Sequence, residues 1–258
     1  ASAKVRAIKP HILVSAAPLG KLRILPAMPN VGWTARESVF QDPAVWYREG
    51  SVDFIVPMMY YRDNLFDPFL ADWKAQIPGL PIVPGLAPYR IEDESKWTAR
   101  DIENQMNASE RLGMAGICFY RELNIRPNRN GVDRLIARHF TAPARMPSFA
   151  KRGANRPPRP SELTIKDKGQ YLEASWTMPS SWNSSKGTFN LYVSVPEGNL
   201  AIENFLLATL IPTTRYTFSK ELLQPFSRAK TLQFRVEASN RSYVRGEASE
   251  AAILVKGN

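Results

Sequence analysis

The stretch Val52-Asp-Phe-Ile-Val-Pro-Met-Met-Tyr-Tyr-Arg62 decides the fold class of the first half of the chain. An apolar run of strand-forming residues ends here in a polar and aromatic segment. Such a continuous run is typical of a parallel strand that is buried on both faces. In a barrel of parallel strands, substrates bind at the C-terminal ends of the strands. Tyr60 and Arg62 are therefore candidates to contact a sugar or another polar ligand, whereas the alternative is an ordinary core strand with a polar exit.

Strand-like and helix-like segments alternate throughout residues 1–147. Asp42 and Asp67 each precede a proline, a pattern typical of the first turn of a helix. The alternation predicts βα units around a parallel sheet. A complete (β/α)8 barrel needs eight such units, so residues 1–147 form either a small open α/β sheet or the C-terminal half of a barrel. The strand-like runs begin at His11, Val52, Leu80 and Gly116.

Residues 161–258 follow a different pattern, in which short stretches alternate between apolar and polar positions. This pattern predicts an antiparallel β-sandwich of about 100 residues. Trp176 is expected in its core, with Tyr192 and Phe234 packed opposite. Residues 148–160 are rich in proline and arginine and are predicted to be a linker. The predicted fold class is thus α/β followed by all-β.

Composition narrows the classes of protein that the chain can represent. The net charge is +10, but its densest basic cluster, at residues 145–159, has no alternating aromatic residues, which favours a solvated linker over a nucleic-acid site. The single cysteine, Cys118, rules out an internal disulfide framework and is expected to be a buried structural thiol. No apolar segment reaches the roughly 18 residues of a membrane span.

The sequence predicts neither a metal site nor a bound cofactor. His11 and His139 do not lie at a metal-ligand spacing from Cys, Asp or Glu residues. The chain also lacks a glycine-rich phosphate loop, a serine-nucleophile motif and a dinucleotide fingerprint.

The second half of the chain resembles a fibronectin type III domain. The resemblance rests on the proline-rich entry, a tryptophan in the second strand, and the segments 191–193 and 234–240. Such domains are usually spacers or binding modules, so the resemblance implies no activity.

The first half resembles a glycosyl-hydrolase-like family of bacterial envelope lipoproteins, once catalogued as a domain of unknown function. The resemblance covers about residues 4–147 and implies a (β/α)8 barrel, often followed by a fibronectin-like domain. It also implies hydrolysis of glycosidic bonds in a polysaccharide, with peptidoglycan glycan strands stripped of their peptides as one substrate class. The matching segments are 40–60, 66–73, 83–89, 119–121 and 130–133.

By this resemblance the chain begins near the fifth barrel strand. The Asp-rich motif that the family carries at its fourth strand does not occur before His11. We therefore expect this chain alone to be inactive, and the missing barrel half to lie in the natural polypeptide or in a second chain that covers the open face. The family also implies an extracytoplasmic location, either periplasmic or anchored at the outer membrane.

Two carboxyl groups that flank the scissile bond, roughly 5 to 9.5 Å apart, normally catalyse glycoside hydrolysis. Glu122 follows the last strand and is the favoured catalytic carboxylate, with Asp63 as the second candidate. Asp63 is adjacent to Arg62 and has ion pairing as its alternative role. Asp42 is better explained as a helix cap.

The candidate binding residues follow strands or lie in the loops after them. Aromatic rings suit the C–H faces of sugars, and amide or guanidinium groups suit the hydroxyls. Tyr61 alternates away from Tyr60 and is expected to pack towards the helices. Trp33 and Trp97 are possible aromatic platforms, and the long connection 19–41 is expected to shape a cleft. The predicted binding residues are Gln41, Tyr60, Arg62, Tyr89 and Arg121.

Two functions remain open from the sequence. The first is a glycoside hydrolase that acts on an envelope glycan and is represented here by part of its barrel. The second is a non-catalytic protein that binds carbohydrate or serves as a scaffold in the cell envelope. Nucleic-acid binding would rest on the net charge alone, so no nucleic-acid partner is predicted.

Overall fold

The computed structural model describes residues 1–30, 32–127, 129–182, 186–196 and 202–256. The chain divides into two compact units, Ala1–Thr141 and Ala142–Asn258. The first unit mixes helices with short parallel strands, and the second consists mainly of two antiparallel sheets. This agrees with the predicted change from α/β to all-β.

The strands of the first unit are parallel and lie side by side in chain order. β1 pairs with β2, and β3 pairs with β4. Bridges from Ile55 to Ile82 and from Met58 to Gly85 join the two pairs. The regular strands are shorter than the apolar runs, because prolines such as Pro57 and Pro84 lack the N–H that a continuous ladder requires. The strands are β1 (Ser15–Ala16), β2 (Phe54–Ile55), β3 (Gly85–Leu86) and β4 (Cys118–Phe119).

Several helices of the first unit bury apolar side chains in a single core. Trp73 and Phe69 on one helix are fully buried, as are Ile102 and Met106 on another. The Trp73 indole also donates a 2.6 Å hydrogen bond to the carbonyl of Gly20, which ties the start of the long connection to the core. The helices are α1 (Ser2–Ile8), α2 (Ala35–Val39), α3 (Pro43–Arg48), α4 (Phe66–Gln76), α5 (Arg90–Asp93), α6 (Ala99–Arg111) and α7 (Val132–His139).

Two helices begin with a side-chain cap at a residue type that favours this position, whereas a third candidate residue does not act as a cap. The Asp42 carboxylate accepts hydrogen bonds from the N–H groups of Ala44 and Val45, which confirms it as the N-cap of α3. Thr98 opens α6 with a capping box. Asp67 does not cap α4, because that helix begins at Phe66 and Asp67 lies inside its first turn. The Asp67 carboxylate instead pairs with Arg111.

Two further expectations for the first unit are wrong. Trp97 is buried, with 6% of its surface exposed, and so does not offer an open aromatic platform. Cys118 is exposed, although it was expected to be a buried thiol. Neighbours of Cys118 pack against the core from the other side of the strand, and strand alternation places the thiol on the uncovered face.

The second unit has two antiparallel sheets that enclose a separate core. One sheet has the order β5-β6-β9; in the other the order is β11-β10-β7-β8, and β12 also pairs with β10. Trp176 and Phe234 lie in the core, as expected from the sequence. The strands are β5 (Ser161–Asp167), β6 (Tyr171–Thr177), β7 (Gly187–Val195), β8 (Ile202–Ile211), β9 (Arg215–Ser219), β10 (Thr231–Asn240), β11 (Arg245–Ala248) and β12 (Ala252–Val255).

Tyr192 does not pack opposite Trp176. Its β7 neighbours Leu191 and Val193 point into the core, so alternation turns Tyr192 to the other face of the sheet. There its hydroxyl donates a 2.5 Å hydrogen bond to Glu237. Burial is the main reason that the pKa of Tyr192 rises to about 12.

The segment 148–160, predicted as a linker, contacts the sandwich of the second unit. The Phe149 side chain is buried, and its N–H donates to the carbonyl of Ser242. The Asn240 amide donates to the carbonyls of Gly153 and Asn155, at 2.9 and 2.8 Å. These residues therefore belong to the second unit and are held by it.

Candidate functional site

Three tyrosines meet where neighbouring parallel strands end. Tyr60 lies beyond β2, Tyr89 beyond β3 and Tyr120 directly after β4. The ring centroids of Tyr60 and Tyr89 are 5.8 Å apart, those of Tyr60 and Tyr120 are 5.8 Å apart, and those of Tyr89 and Tyr120 are 5.7 Å apart. Tyr60 and Tyr120 are stacked, while the plane of the Tyr89 ring is nearly perpendicular to both. We call this group the tyrosine cluster.

Gly85 lets the backbones of two strand ends approach each other closely beside the cluster. Gly85 lies next to Tyr60, and a Cβ atom at this position would stand 3.6 Å from its ring and 3.2 Å from the carbonyl oxygen of Pro57. The second distance is tighter than ordinary contact, so a side chain at residue 85 would force its neighbours to shift. Glycine therefore allows the two strand ends to approach closely.

The cluster is accessible on one side and buried on the other. Tyr120 has 51% of its surface exposed, whereas Tyr60 and Tyr89 are half-buried. Burial raises the pKa of Tyr60 to about 12, and the neighbouring tyrosines and Cys118 contribute to the shift. The phenol of Tyr60 therefore stays protonated at neutral pH. It can act as both a hydrogen-bond donor and an acceptor.

An ionic network joins the loops that follow β3 and β4. The guanidinium of Arg129 donates to both carboxylate oxygens of Glu92 at 2.7 Å. The Asn130 amide donates to Glu92 at 3.1 Å and to the carbonyl of Asn124 at 2.7 Å. Glu92, which lies on α5, thus fixes the segment after β3 to the segment after β4.

The same contacts lower the pKa of Glu92 to about 2, with the hydrogen bond from Arg129 as the largest cause. In an Arg129→Ala variant we expect that pKa to rise towards its ordinary value of about 4.3. Carbon-detected NMR titration of the Glu92 carboxyl group measures the change, and Arg134→Ala, which removes a different cation from α7, is the control. An unchanged pKa in the Arg129 variant would contradict the network.

Glu122 and Asp63, the predicted catalytic carboxylates, are both exposed and paired with arginine. Arg126 donates to Glu122 at 2.8 Å, and this contact is the largest cause of a lowered Glu122 pKa. Asp63 lies 3.5 Å from the Nε atom of Arg62. A carboxylate with a lowered pKa is ionised at neutral pH, which suits a nucleophile or base better than a general acid. The catalytic roles of both residues stay predictions.

The other predicted binding residues lie in different surroundings. Gln41 uses its side-chain oxygen to accept a 3.0 Å hydrogen bond from the N–H of Leu19. Arg121 follows Tyr120 directly in the sequence, and its guanidinium donates to the side-chain oxygen of Asn124 at 3.3 Å. Arg62 donates to the carbonyl of Lys96 and lines a separate cavity with Asp63. Their roles in ligand binding stay predictions.

Tyr120 was not among the site residues predicted from the sequence. The alternation of side chains between the two faces of a strand, continued past the end of β4, could have identified it. The same period of two separates Tyr60 from Tyr61, and Tyr61 packs against the core as expected. In the connection 19–41, α2 replaces part of the predicted loop, and Trp33 is exposed. Residue 31 of that connection lies outside the described residues.

The described residues contain no cluster of three or more His, Cys, Asp or Glu side chains suited to a metal ion. Within the same residues, no helix is both long enough and apolar enough to cross a membrane.

No family model matches this sequence, and neither does any curated protein. Among solved structures, the chain is similar to the spore cortex lytic enzyme SleM of Clostridium perfringens, with 11% identity over 83% of each chain and a TM-score of 0.31. It is also similar to a Fn3-like protein from Clostridium thermocellum, with 20% identity over 40% of this chain and 97% of that one, at a TM-score of 0.28.

A third similar structure is a β-1,2-glucanase from Parabacteroides distasonis, with 16% identity over 41% of this chain and 14% of that chain, at a TM-score of 0.27. These neighbours include glycoside hydrolases and a fibronectin-like protein.

Proposed function

We propose that the first unit binds a glycan at the tyrosine cluster. The observation that carries this proposal is the convergence of Tyr60, Tyr89 and Tyr120 at the ends of neighbouring parallel strands. Aromatic rings offer apolar surface to the C–H faces of a sugar ring, and their hydroxyls can bond to the sugar hydroxyls. The three rings carry no charge themselves, and the guanidinium of Arg90 lies 5.7 Å from the centroid of the Tyr89 ring.

The first unit is proposed to be the C-terminal half of a (β/α)8 barrel. Its parallel strands lie in chain order, as in a barrel. Among the described residues, β1 pairs with β2 only and β4 with β3 only, so both sheet edges are open. Open edges and the exposed face at Cys118 are features that the remaining half of a barrel would cover. That half is proposed to come from the same polypeptide or from a second chain.

The proposed activity is hydrolysis of a glycosidic bond in a bacterial envelope glycan, such as peptidoglycan strands without peptides, outside the cytoplasm. Glu122 stands at the exit of β4, two residues after Tyr120, and its ionised carboxylate suits a nucleophile or base. The general acid would come from the other half of the barrel. The second unit, as a fibronectin-like sandwich, would serve as a spacer or a binding module.

A second candidate function is glycan binding without catalysis. In the described residues, the carboxyl groups with a resolved pKa shift, Glu37, Glu92, Glu122 and Asp167, are all shifted downwards. General acid catalysis normally depends on a carboxyl group with a raised pKa. This pattern favours a binding or scaffolding protein if no other segment supplies the acid.

Co-sedimentation with insoluble, peptide-free glycan strands tests the proposal. We expect the chain to sediment with the glycan and to release no reducing ends by itself. Release of reducing ends by this chain would exclude the non-catalytic candidate. Absence of sedimentation at every glycan concentration would contradict glycan binding.

A further inference from the structure

Three segments of the second unit meet at one end of its sandwich: the turn between β5 and β6, the 3₁₀ helix Lys220–Phe226, and the end of β12. Strand register brings them together, because Tyr171 pairs with Ser219 in one sheet and Thr231 pairs with Val255 in the other. Residues of all three segments line one cavity of about 480 Å³. We call this surface the basic end and define it as residues 167–171, 219–231 and 255–256.

Cationic side chains outnumber acidic ones at the basic end. Lys220 pairs with Asp167 at 2.7 Å, and Lys256 donates to the carbonyl of Phe226 at 2.6 Å. Glu221, which is exposed, is the only other acidic residue of the three ranges. Three further cations are exposed and form no ion pair with any residue that the structure describes, namely Lys168, Arg228 and Lys230. The basic end therefore attracts anionic surfaces.

Exposed apolar side chains stand among these cations. Leu222 has 47% of its surface exposed, and Val255 has 69%. Their neighbours Leu223 and Leu254 pack in the core of the sandwich, so the core holds the 3₁₀ helix and β12 in place. A hydrophilic polyanion would leave Leu222 and Val255 in water, whereas the interface of a bilayer takes up apolar side chains beneath its charged headgroups.

We propose that the basic end docks on the surface of a bilayer that contains anionic phospholipid. Lys168, Arg228 and Lys230 lie among the headgroups, while Leu222 and Val255 enter the boundary between the headgroups and the acyl chains. Each cation contributes a modest attraction and the apolar contact is small, so docking is reversible and needs both contributions. The inference goes beyond glycan binding, since it concerns the second unit and is independent of the tyrosine cluster.

Sedimentation of the full chain with sucrose-loaded vesicles measures the docking. We expect the chain to bind vesicles of phosphatidylcholine and phosphatidylglycerol in a ratio of seven to three, and to stay in solution with phosphatidylcholine alone. In the double variant Arg228→Ala, Lys230→Ala, the partition coefficient should fall at least tenfold. The matched control, Lys186→Ala, Arg245→Ala, removes the same charge beside the opposite end of β10 and should bind as the unchanged chain does.

A second pair of variants tests the apolar contribution. Leu222→Ser should lower the partition coefficient at least threefold, because it removes an apolar side chain from the interface. Leu210→Ser is its matched control, since Leu210 has a similar exposure of 44% but lies near the far end of β8.

Docking is supported by binding that requires phosphatidylglycerol and that weakens only in the two variants of the basic end. It is overturned by absence of sedimentation with the mixed vesicles, by equal binding to both kinds of vesicle, or by equal losses in a variant and its control. Unchanged binding of Leu222→Ser also overturns it, because the contact would then be purely electrostatic. Tyr120 variants report on the tyrosine cluster, so this inference can fail while the proposed function stands.

Discussion

Replacing Tyr120 with alanine is expected to raise the Kd of the chain for chitotetraose about tenfold, a loss of about 1.4 kcal/mol in binding free energy. Tyr120 is the most exposed ring of the tyrosine cluster and stacks on Tyr60 at 5.8 Å. The substitution removes one aromatic surface, worth about 0.5–1.5 kcal/mol, and a hydroxyl that contributes a similar amount. Isothermal titration calorimetry measures the effect.

Tyr171→Ala is the matched control for this experiment. Tyr171 is also a partly exposed tyrosine, with 43% of its surface accessible, but it lies on β6 of the second unit. We expect its substitution to leave the affinity unchanged. An equal loss in both variants, or no loss in the Tyr120 variant, would remove the cluster as the binding site.

Replacing Trp73 with alanine is expected to lower the free energy of unfolding of the first unit by about 3–5 kcal/mol. The side chain is fully buried and leaves a large cavity when it is truncated. The carbonyl of Gly20 also loses its 2.6 Å hydrogen bond, which frees the start of the connection 19–41. Since the described α-helices lie in the first unit, circular dichroism at 222 nm during urea unfolding reports on this unit.

Trp33→Ala provides the comparison, because Trp33 has 73% of its surface exposed. Its substitution should change the stability by no more than about 0.5 kcal/mol. Similar destabilisation by the two substitutions would contradict the assignment of Trp73 to the core.

Local sequence signals predicted the elements that depend on neighbouring residues. Asp42 before Pro43 predicted a helix cap, because both the acceptor and the first helical turn lie within a few residues. The apolar run at 52–59 predicted a buried strand, and a period of two separated Tyr60 from Tyr61. The parallel pairing followed from the alternation of strands with helices.

Features that depend on distant residues could not be predicted in this way. Glu92 and Arg129 are separated by 37 positions, and their contact requires two loops to meet. The exposure of Cys118 depends on which face of β4 other segments cover. Tyr192 was misplaced because both faces of β7 are buried, so burial alone does not distinguish them.

Fluorine NMR of the chain labelled with 3-fluorotyrosine tests the central claim most directly. The chain has nine tyrosines, and substitution by phenylalanine assigns the signals of Tyr60, Tyr89 and Tyr120. During titration with chitotetraose, we expect saturable shifts at these signals, with little change at Tyr171 and Tyr192. A titration that leaves the three signals unmoved, or that shifts the signals of the second unit in their place, would contradict glycan binding at the tyrosine cluster.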